Sequence, residues 1–339
     1  ALCKGIVRIL REAGADINST NRPLGPPLHI AAFIGETSLV EFLIDQGASI
    51  DATAGHFGSA LIAAMIDDRH AALDFLLLRG INVNACSEEF GTALHYACRY
   101  KNSKTVQTLL NHGSDPTLDV PWLESPLTAV LNRVTEEDSD GVLKMLLQYA
   151  PGLQIRDADL VLAAQVPSDH LCSSKKTALE RLLEHSPELP VTQGVIAAIV
   201  PLDYPRDKVL KTVLQRANGV EITTDILKSV RKLQTLEVLF QFQPQCEISP
   251  EVFAAFARVD REGPYLLKAS LDRYPQATLT PGTVLSFLEQ CEGYRRCNSS
   301  LVDILQTMLD RAPDMAITDN MLMAVAYPDQ LRLLLSIYR

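Results

Sequence analysis

A repeated segment of fixed length constrains this chain more than any other feature of its sequence. Similar apolar segments, PPLHIAA, SALIAAM, TALHYAC and SPLTAVL, recur at intervals of 33 residues, and turn glycines recur at the same interval. The leucines in this register are Leu28, Leu61, Leu94 and Leu127, and the glycines are Gly14, Gly47, Gly80 and Gly113. Self-similarity at such a period indicates a stack of small structural units, each of which packs against the next.

Local signals predict that each unit contains two helices. Ser59, Thr92 and Ser125 precede the first apolar segment of their repeats, where a hydroxyl can accept a hydrogen bond from a free backbone N–H group. Pro27 and Pro126 stand at the first helical position, where no N–H group is needed. The glycine that follows the second apolar segment supplies the positive φ angle that ends the second helix.

These repeats resemble ankyrin repeats, whose consensus runs T-P-L-H-x-A-A, then G, then V-V-x-x-L-L-x-x-G-A. The resemblance extends over residues 1–120, where Gly35, Val40, Leu43 and Gly47 also match. The segments FGSALIAA and FGTALHYA further resemble the divergent ankyrin repeats of large fungal signalling proteins. The resemblance implies an all-helical stack that binds partner proteins through a concave groove and the tips of its β-turn fingers.

Two histidines occupy the same position in their repeats. His29 and His95 stand in the position that the ankyrin family uses for hydrogen bonds between a side chain and the backbone of an adjacent turn. Ile62 and Thr128 fill the equivalent positions, so the imidazole is replaceable, as a general base would not be. We therefore predict a structural role for both histidines.

Beyond residue 120 the glycine turns give way to a different pattern. Six segments share it: LLQYAPGLQIR, LLEHSPELPVT, VLQRANGVEIT, LFQFQPQCEIS, SLDRYPQATLT and MLDRAPDMAIT. Proline or asparagine ends each helix there, and a Thr or Ser that caps the next helix follows in most copies, as in Ser249-Pro250 and Thr280-Pro281. We predict an all-α, ankyrin-like helical-repeat solenoid of about ten two-helix repeats. Its repeats are regular over residues 1–156 and degenerate over residues 157–339, where they continue the same solenoid.

The linkers predict two kinds of loop. Between repeats in residues 20–125, the segments NSTNRPLG, DATAGHF, ACSEEF and DVPWLE are long enough for protruding β-turn fingers. In the second half, the insertions fall between the two helices of a pair: VTEEDSDG, VPSDHLCSSKK, PLDYPRD, VDREGP and CEGYRRCNSS. We expect these insertions on one edge of the solenoid, either as a working surface or as a product of drift.

Composition disfavours several classes of partner. The net charge is -10, which disfavours nucleic acid as a ligand because phosphate binding relies on clustered Lys and Arg. No apolar run is long enough for a membrane span, and the first residues lack the pattern of a charged then apolar leader, so we expect neither a membrane span nor a signal peptide. The seven cysteines form no CxxC pair, which favours a reducing, intracellular location, either cytoplasmic or nuclear. The chain begins within a helical pattern, so we expect a monomeric segment of a longer protein.

Candidate chemistry is sparse. His95 with Cys98, His170 with Cys172, and Cys291 with Cys297 lie close enough in sequence for a thiol nucleophile, a disulfide or part of a metal site, but a metal needs three or four converging ligands. The acidic run Glu136, Glu137, Asp138 and Asp140 lacks the spacing of a calcium-binding EF-hand loop. No phosphate-binding, zinc-protease or hydrolase motif is present. We predict that the chain is not an enzyme and that it binds neither cofactor nor metal.

Exposed residues are therefore the functional candidates. In ankyrin-type stacks, partners contact the finger tips and the exposed ends of the first helices, and aromatic residues and arginine dominate such surfaces. The candidates on first helices are Phe33, Ile34, Ile66, Asp67, Arg99, Tyr100, Asn132 and Arg133, and those on fingers are Arg22, His56, Glu88, Glu89 and Trp122. For Phe33, Ile34 and Trp122 the alternative is packing against the next repeat.

The sequence predicts a non-catalytic protein-protein interaction module that uses the groove and finger tips. The alternative is the sensing or regulatory arm of a larger signalling NTPase whose P-loop domain lies upstream of Ala1. The partner is predicted to be another protein in either case.

Overall fold

A computed structural model shows an all-helical chain. It describes residues 2–20, 23–133, 139–165, 177–202, 207–217, 219–246, 248–259, 261–277, 279–291, 299–325 and 327–337. Within these ranges there are 21 α-helices and no strand, which confirms the predicted all-α class. The chain divides into two compact units, Ala1–Pro187 and Glu188–Arg339. The predicted boundary at residues 156 and 157 follows the regularity of the repeats and stays a prediction.

The first unit consists of a single helix followed by five helix pairs. Its helices are α1 (Leu2–Glu12), α2 (Pro27–Ile34), α3 (Thr37–Asp45), α4 (Ala60–Ile66), α5 (His70–Leu78), α6 (Ala93–Tyr100), α7 (Ser103–Asn111), α8 (Pro126–Asn132), α9 (Ser139–Tyr149), α10 (Asp157–Gln165) and α11 (Ala178–His185). The first helices α2, α4, α6, α8 and α10 contact one another in that order, and each packs against the second helix that follows it. The unit is therefore a layer of first helices on a layer of second helices.

The predicted helix boundaries are confirmed in the first unit. The hydroxyls of Ser59, Thr92 and Ser125 accept hydrogen bonds from the backbone N–H groups three residues ahead, and α2 and α8 begin at their prolines. Gly14, Gly47, Gly80 and Gly113 all have positive φ angles. Small side chains allow close packing in the first layer, since Ala31, Ala32, Ala63 and Ala64 are fully buried or nearly so.

Side chains at one repeat position link each turn to the next. The Asn18 and Asn84 side-chain oxygens accept the N–H groups of Ser49 and Asp115 at 2.7 and 2.9 Å, and their amides donate to the carbonyl groups of Gly47 and Gly113. Asp51 occupies the same position in the intervening repeat, and its carboxylate accepts a hydrogen bond from the N–H group of Asn82 at 2.7 Å. These residues connect consecutive repeats along the second-helix ends.

We expect Asn84→Ala to destabilise the first unit by about 1–2 kcal/mol, because both hydrogen bonds are lost and the N–H group of Asp115 loses its side-chain acceptor. Asn84→Asp is the matched control, since it keeps the acceptor in the arrangement already present at Asp51, and its cost should be smaller. Urea unfolding followed by circular dichroism measures both variants. Equal losses would show that the acceptor contributes nothing.

The second unit consists of five further helix pairs. Its helices are α12 (Gln193–Ile199), α13 (Asp207–Arg216), α14 (Thr224–Lys228), α15 (Leu233–Phe242), α16 (Pro250–Ala257), α17 (Gly263–Arg273), α18 (Pro281–Cys291), α19 (Ser299–Asp310), α20 (Asp319–Met323) and α21 (Pro328–Ile337). The first helices α14, α16, α18 and α20 contact one another in order, and so do the second helices α13, α15, α17, α19 and α21. With the five pairs of the first unit, this gives the expected ten two-helix repeats.

The short linkers of the second unit also agree with the sequence. Helices end and begin again around residues 217–223, 243–249 and 274–280, so there is no room for long fingers there. Thr280 caps α18, but Ser249 occupies the N-cap of α16 without a hydrogen bond from its hydroxyl to that helix. The insertions predicted on one edge fall largely on residues 134–138, 166–176, 203–206 and 292–298, which lie outside the described residues.

Candidate functional site

The ends of the first helices and the fingers form the candidate surface. Ile34, Asp67, Arg99, Tyr100, Asn132, His56, Glu88, Glu89 and Trp122 are exposed, whereas Phe33, Ile66 and Arg133 are half-buried. Arg22 lies outside the described residues. More than half of the surface of Tyr100 and of Trp122 is accessible, at 53% and 62%. The structure thus leaves large aromatic groups on this side of the first unit.

Six rings make a nearly continuous row across three repeats. Phe33 stacks on Phe57 with ring centres 4.9 Å apart, His56 lies between Phe57 and Phe90, Phe90 meets Tyr96 edge-on at 5.4 Å, and Tyr96 lies 5.0 Å from Tyr100. We call these six residues the aromatic row. It connects the fingers to the ends of the first helices, and the contact of Phe33 with Phe57 is packing against the next repeat.

Three members of the aromatic row were missed as site residues. Phe57 and Phe90 stand 33 residues apart in the segments FGSALIAA and FGTALHYA, so their recurrence was visible in the sequence. Nothing in the sequence indicated that Tyr96 would join them, because its neighbour Phe90 belongs to the preceding finger. That contact depends on the angle between finger and helix.

Ion pairs hold the charged candidates in place. Arg99 pairs with Glu124 at 3.1 Å and also lies over the ring of Tyr100, 5.4 Å from its centre. The second carboxylate oxygen of Glu124 accepts a hydrogen bond from the Asn132 amide at 2.8 Å. Arg133 instead donates to the carbonyl oxygens of Cys98 and Lys101 at 2.9 and 2.8 Å, so its guanidinium supports the end of α6.

The finger tips are linked to each other by polar contacts. The Trp122 indole N–H donates to the backbone carbonyl of Glu88 at 2.9 Å. The His56 imidazole lies 3.4 Å from the carboxylate of Glu89. These contacts join successive fingers and fix the positions of the two glutamates.

A cleft of about 230 Å³ opens between the aromatic row and the last finger of the regular repeats. Its lining residues are Glu89, Phe90, His95, Tyr96, Arg99, Tyr100, Leu123, Glu124 and Ala129. Glu89 and Arg99 contribute charge to this cleft, and Tyr96 and Tyr100 contribute aromatic surface.

The structural role predicted for His29 is confirmed. Its ring nitrogens lie 3.1 Å from the carbonyl oxygen of Ala54 and 3.0 Å from that of Ala52, in the following finger. Burial lowers the pKa of His29, and the two carbonyl groups oppose that shift. His29 therefore ties its helix to the adjacent turn.

His95 also has a structural role, but it caps its own helix and does not bond to the adjacent turn as the resemblance implied. Its Nδ1 atom lies 2.8 Å from the Thr92 hydroxyl and accepts the Thr92 backbone N–H group, so we assign the ring proton to Nε2. The carbonyl that would correspond to Ala54 belongs to Val120, which already accepts the N–H group of Leu123 in the turn after Pro121. Burial lowers the pKa of His95 too, and the charge of Asp119 opposes the shift.

These two buried histidines predict a stability loss at mildly acid pH. Because their pKa values are lowered in the folded state, the unfolded chain takes up protons first as the pH falls below about 6.5. Their contribution is complete above that pH and is lost as the pH falls through the folded-state pKa. Urea midpoints at about pH 7.5 and about pH 5.5 should differ less for His29→Gln/His95→Gln than for the natural sequence. If the urea midpoint changed with pH by the same amount in the variant and in the natural sequence, the two histidines would not be the cause of the stability loss.

Only some of the candidate catalytic and metal-binding residues lie in the described part of the chain. Burial raises the pKa of the Cys98 thiol to about 12, so this cysteine has the properties of a small core residue. Across the described ranges, no three His, Cys, Asp or Glu side chains converge on a point that could hold a metal ion. Asp140 makes a two-pronged ion pair with Arg181 at 2.7 and 2.9 Å. His170, Cys172, Cys297 and Glu136, Glu137 and Asp138 lie outside the described residues.

No helix in the described part of the chain has the length and apolar character to cross a bilayer.

Part of the chain matches a known protein family. The model of a family described as ankyrin repeats (3 copies) matches residues 1–86 and residues 28–120. No curated protein matches the chain. The matched segment contains the whole aromatic row, while Trp122, Leu123 and Glu124 follow it directly.

Proposed function

Because this chain is an ankyrin-repeat protein over residues 1–120, we propose that it binds another protein through its fingers and first-helix ends and performs no catalysis. Ankyrin repeats generally mediate protein-protein interaction, and the fold alone does not identify the partner. The observation that carries the proposal is the exposure of Tyr100 and Arg99 beside the cleft, in contact with each other and with the aromatic row.

The arrangement of these residues supports binding for two physical reasons. Tyrosine, tryptophan and arginine contribute most of the energy in protein interfaces, because each buries a large surface and still forms directional polar contacts. The ion pair with Glu124 and the ring contact with Tyr96 also restrict the side chains of Arg99 and Tyr100 before any partner arrives. Restricted side chains lose less conformational entropy on binding.

We also propose an intracellular location, which the free thiols of the exposed Cys3 and Cys86 support. The narrower alternative, a sensing arm of a larger signalling NTPase of the fungal type, uses the same surface. It differs in requiring that partner binding change when nucleotide is bound elsewhere in the longer protein.

Site-specific crosslinking tests the binding surface. A photoreactive phenylalanine analogue placed at Tyr100 should crosslink to the partner, whereas the same analogue at Leu78 should not, since Leu78 is 80% exposed on second helix α5. The captured protein, identified by mass spectrometry and purified, should bind the variant Arg99→Ala/Tyr100→Ala at least about tenfold more weakly. Equal crosslinking from both positions, or unchanged affinity with an unchanged melting curve, would remove the proposal.

A further inference from the structure

The charges around the cleft do not cancel. Arg99 is paired with Glu124, Lys101 with Asp68 at 2.8 Å, and Arg69 with Asp67, so each of these three cations is matched by a carboxylate. The fourth cation of this surface, Arg133, donates to the carbonyl groups of Cys98 and Lys101. Two further carboxylates, Glu88 and Glu89, stand on the neighbouring finger, and no Lys or Arg of the described chain pairs with them. Glu89 lines the cleft and lies 3.4 Å from the His56 imidazole, and Glu88 precedes it on the same finger.

The rings beside these carboxylates suit a cation. The ring planes of Phe90 and Tyr96 are inclined at 86° to each other, and those of Tyr96 and Tyr100 at 44°. The three rings therefore form adjoining inclined walls. A ring face attracts a guanidinium or ammonium group within about 6 Å of its centre. The guanidinium of Arg99, the preceding residue in the chain, lies 5.4 Å from the centre of the Tyr100 ring, within this range.

The size of the cleft fits a single inserted side chain. Its volume of about 230 Å³ exceeds the roughly 150 Å³ of a cavity that admits a benzene ring. Arg99 does not oppose a second cation strongly, because its charge is balanced by Glu124, whose other oxygen is fixed by Asn132. A guest cation would face Glu89 and the ring walls.

We propose that the cleft receives an arginine or lysine side chain from a basic segment of the partner protein, with Glu88 and Glu89 attracting that segment. This inference rests on the proposed binding function and specifies its partner chemistry. The carboxylates supply long-range attraction, which raises the association rate and depends on salt. The rings of Phe90, Tyr96 and Tyr100 supply the short-range contact.

A basic peptide tests the inference without knowledge of the natural partner. The probe is the blocked peptide GRGRGRG, and its controls are GEGEGEG and the analogue with citrulline in place of arginine, which keeps the shape of the side chain and removes its charge. Binding is measured by calorimetry and by the fluorescence of Trp122, the one tryptophan in the sequence, whose indole contacts the Glu88 carbonyl. We expect binding of the arginine peptide alone, and weaker binding as salt rises.

Variants assign that binding to the cleft. Glu88→Gln/Glu89→Gln should weaken binding several-fold and reduce its salt dependence, and Tyr100→Ala should weaken it by about fivefold while Tyr100→Phe retains it. Asp74→Asn/Glu12→Gln removes the same charge from exposed positions on second helices and should change little. Absence of binding, equal binding of the citrulline peptide, or equal losses in both charge variants would overturn the inference. If crosslinking at Tyr100 then still captured a partner, the proposed function would stand and only the basic segment would be wrong.

Discussion

Gly55→Ala is expected to destabilise the first unit by about 3 kcal/mol. Gly55 has a φ angle of 69°, where a side chain adds roughly 1–2 kcal/mol of strain. A Cβ atom there would lie 2.4 Å from the backbone nitrogen and Cα of Gly25 and 2.8 Å from the carbonyl carbon of Leu24. Because backbone cannot rotate away as a side chain does, the two fingers would have to separate, at a further cost of about 1–3 kcal/mol.

That separation would break contacts that join the two repeats. The His56 N–H group donates to the Pro23 carbonyl at 2.7 Å, and His29 reaches the carbonyl of Ala54, the residue beside Gly55. Amide exchange over residues 23–58 should therefore accelerate more than elsewhere in the unit. Urea unfolding gives the free-energy change.

Gly47→Ala is the matched control for this prediction. Gly47 has a φ angle of 93°, but a Cβ atom there would have no neighbour within 4 Å. Its cost should be limited to backbone strain of roughly 1–2 kcal/mol. Equal destabilisation by both substitutions would show that the fingers do not approach each other closely at Gly25 and Gly55.

Phe253→Ala is expected to destabilise the second unit by about 3–5 kcal/mol. Phe253 is completely buried on α16, which packs against α14, α17 and α18, so truncation would leave a cavity among three neighbouring helices. Urea unfolding, with amide exchange to assign the loss to residues 188–339, measures the effect. The ankyrin family match ends at residue 120, and this substitution therefore tests whether the degenerate repeats have a packed core of their own.

Tyr265→Ala provides the comparison, because Tyr265 is an aromatic residue of the adjacent helix α17 and is 51% exposed. Its removal should cost less than about 1 kcal/mol. A similarly small loss for Phe253→Ala would mean that α16 is loosely packed and that the second unit is not a repeat array of the expected kind.

Signals confined to a few neighbouring residues predicted the helices well. Caps such as Ser59 and Ser125 and glycines such as Gly47 act on backbone groups within one turn, so the sequence contains both partners of each interaction side by side. The same holds for Thr280 before Pro281 in the second unit, where no fixed period remains. Residue type at a cap position does not always predict the capping bond, since the Ser249 hydroxyl occupies the N-cap of α16 and forms no hydrogen bond with that helix.

The site was only partly predictable, because its residues come from different repeats. Arg99, Tyr100 and Trp122 were found through the positions that ankyrin-type stacks expose. Arg133 was in the same class, yet its guanidinium supports the carbonyl groups at the end of the preceding first helix. Its sequence position predicted an exposed side chain, but Arg133 is half-buried because its guanidinium bonds to carbonyl groups of the preceding repeat.

The sequence by itself determined the repeating two-helix unit, its caps and turns, and the residue types carried by each finger. Only the tertiary structure decided which of those residues meet. His29 and His95 occupy one repeat position, but His29 bonds to the next finger while His95 bonds to its own cap, and the carbonyl of Val120 accepts the N–H group of Leu123. The His29 bonds join groups 25 and 23 residues apart in the chain, whereas the His95 bond spans three residues. Finger geometry selects between the two arrangements, because a hydrogen bond forms only within a narrow range of distances and angles.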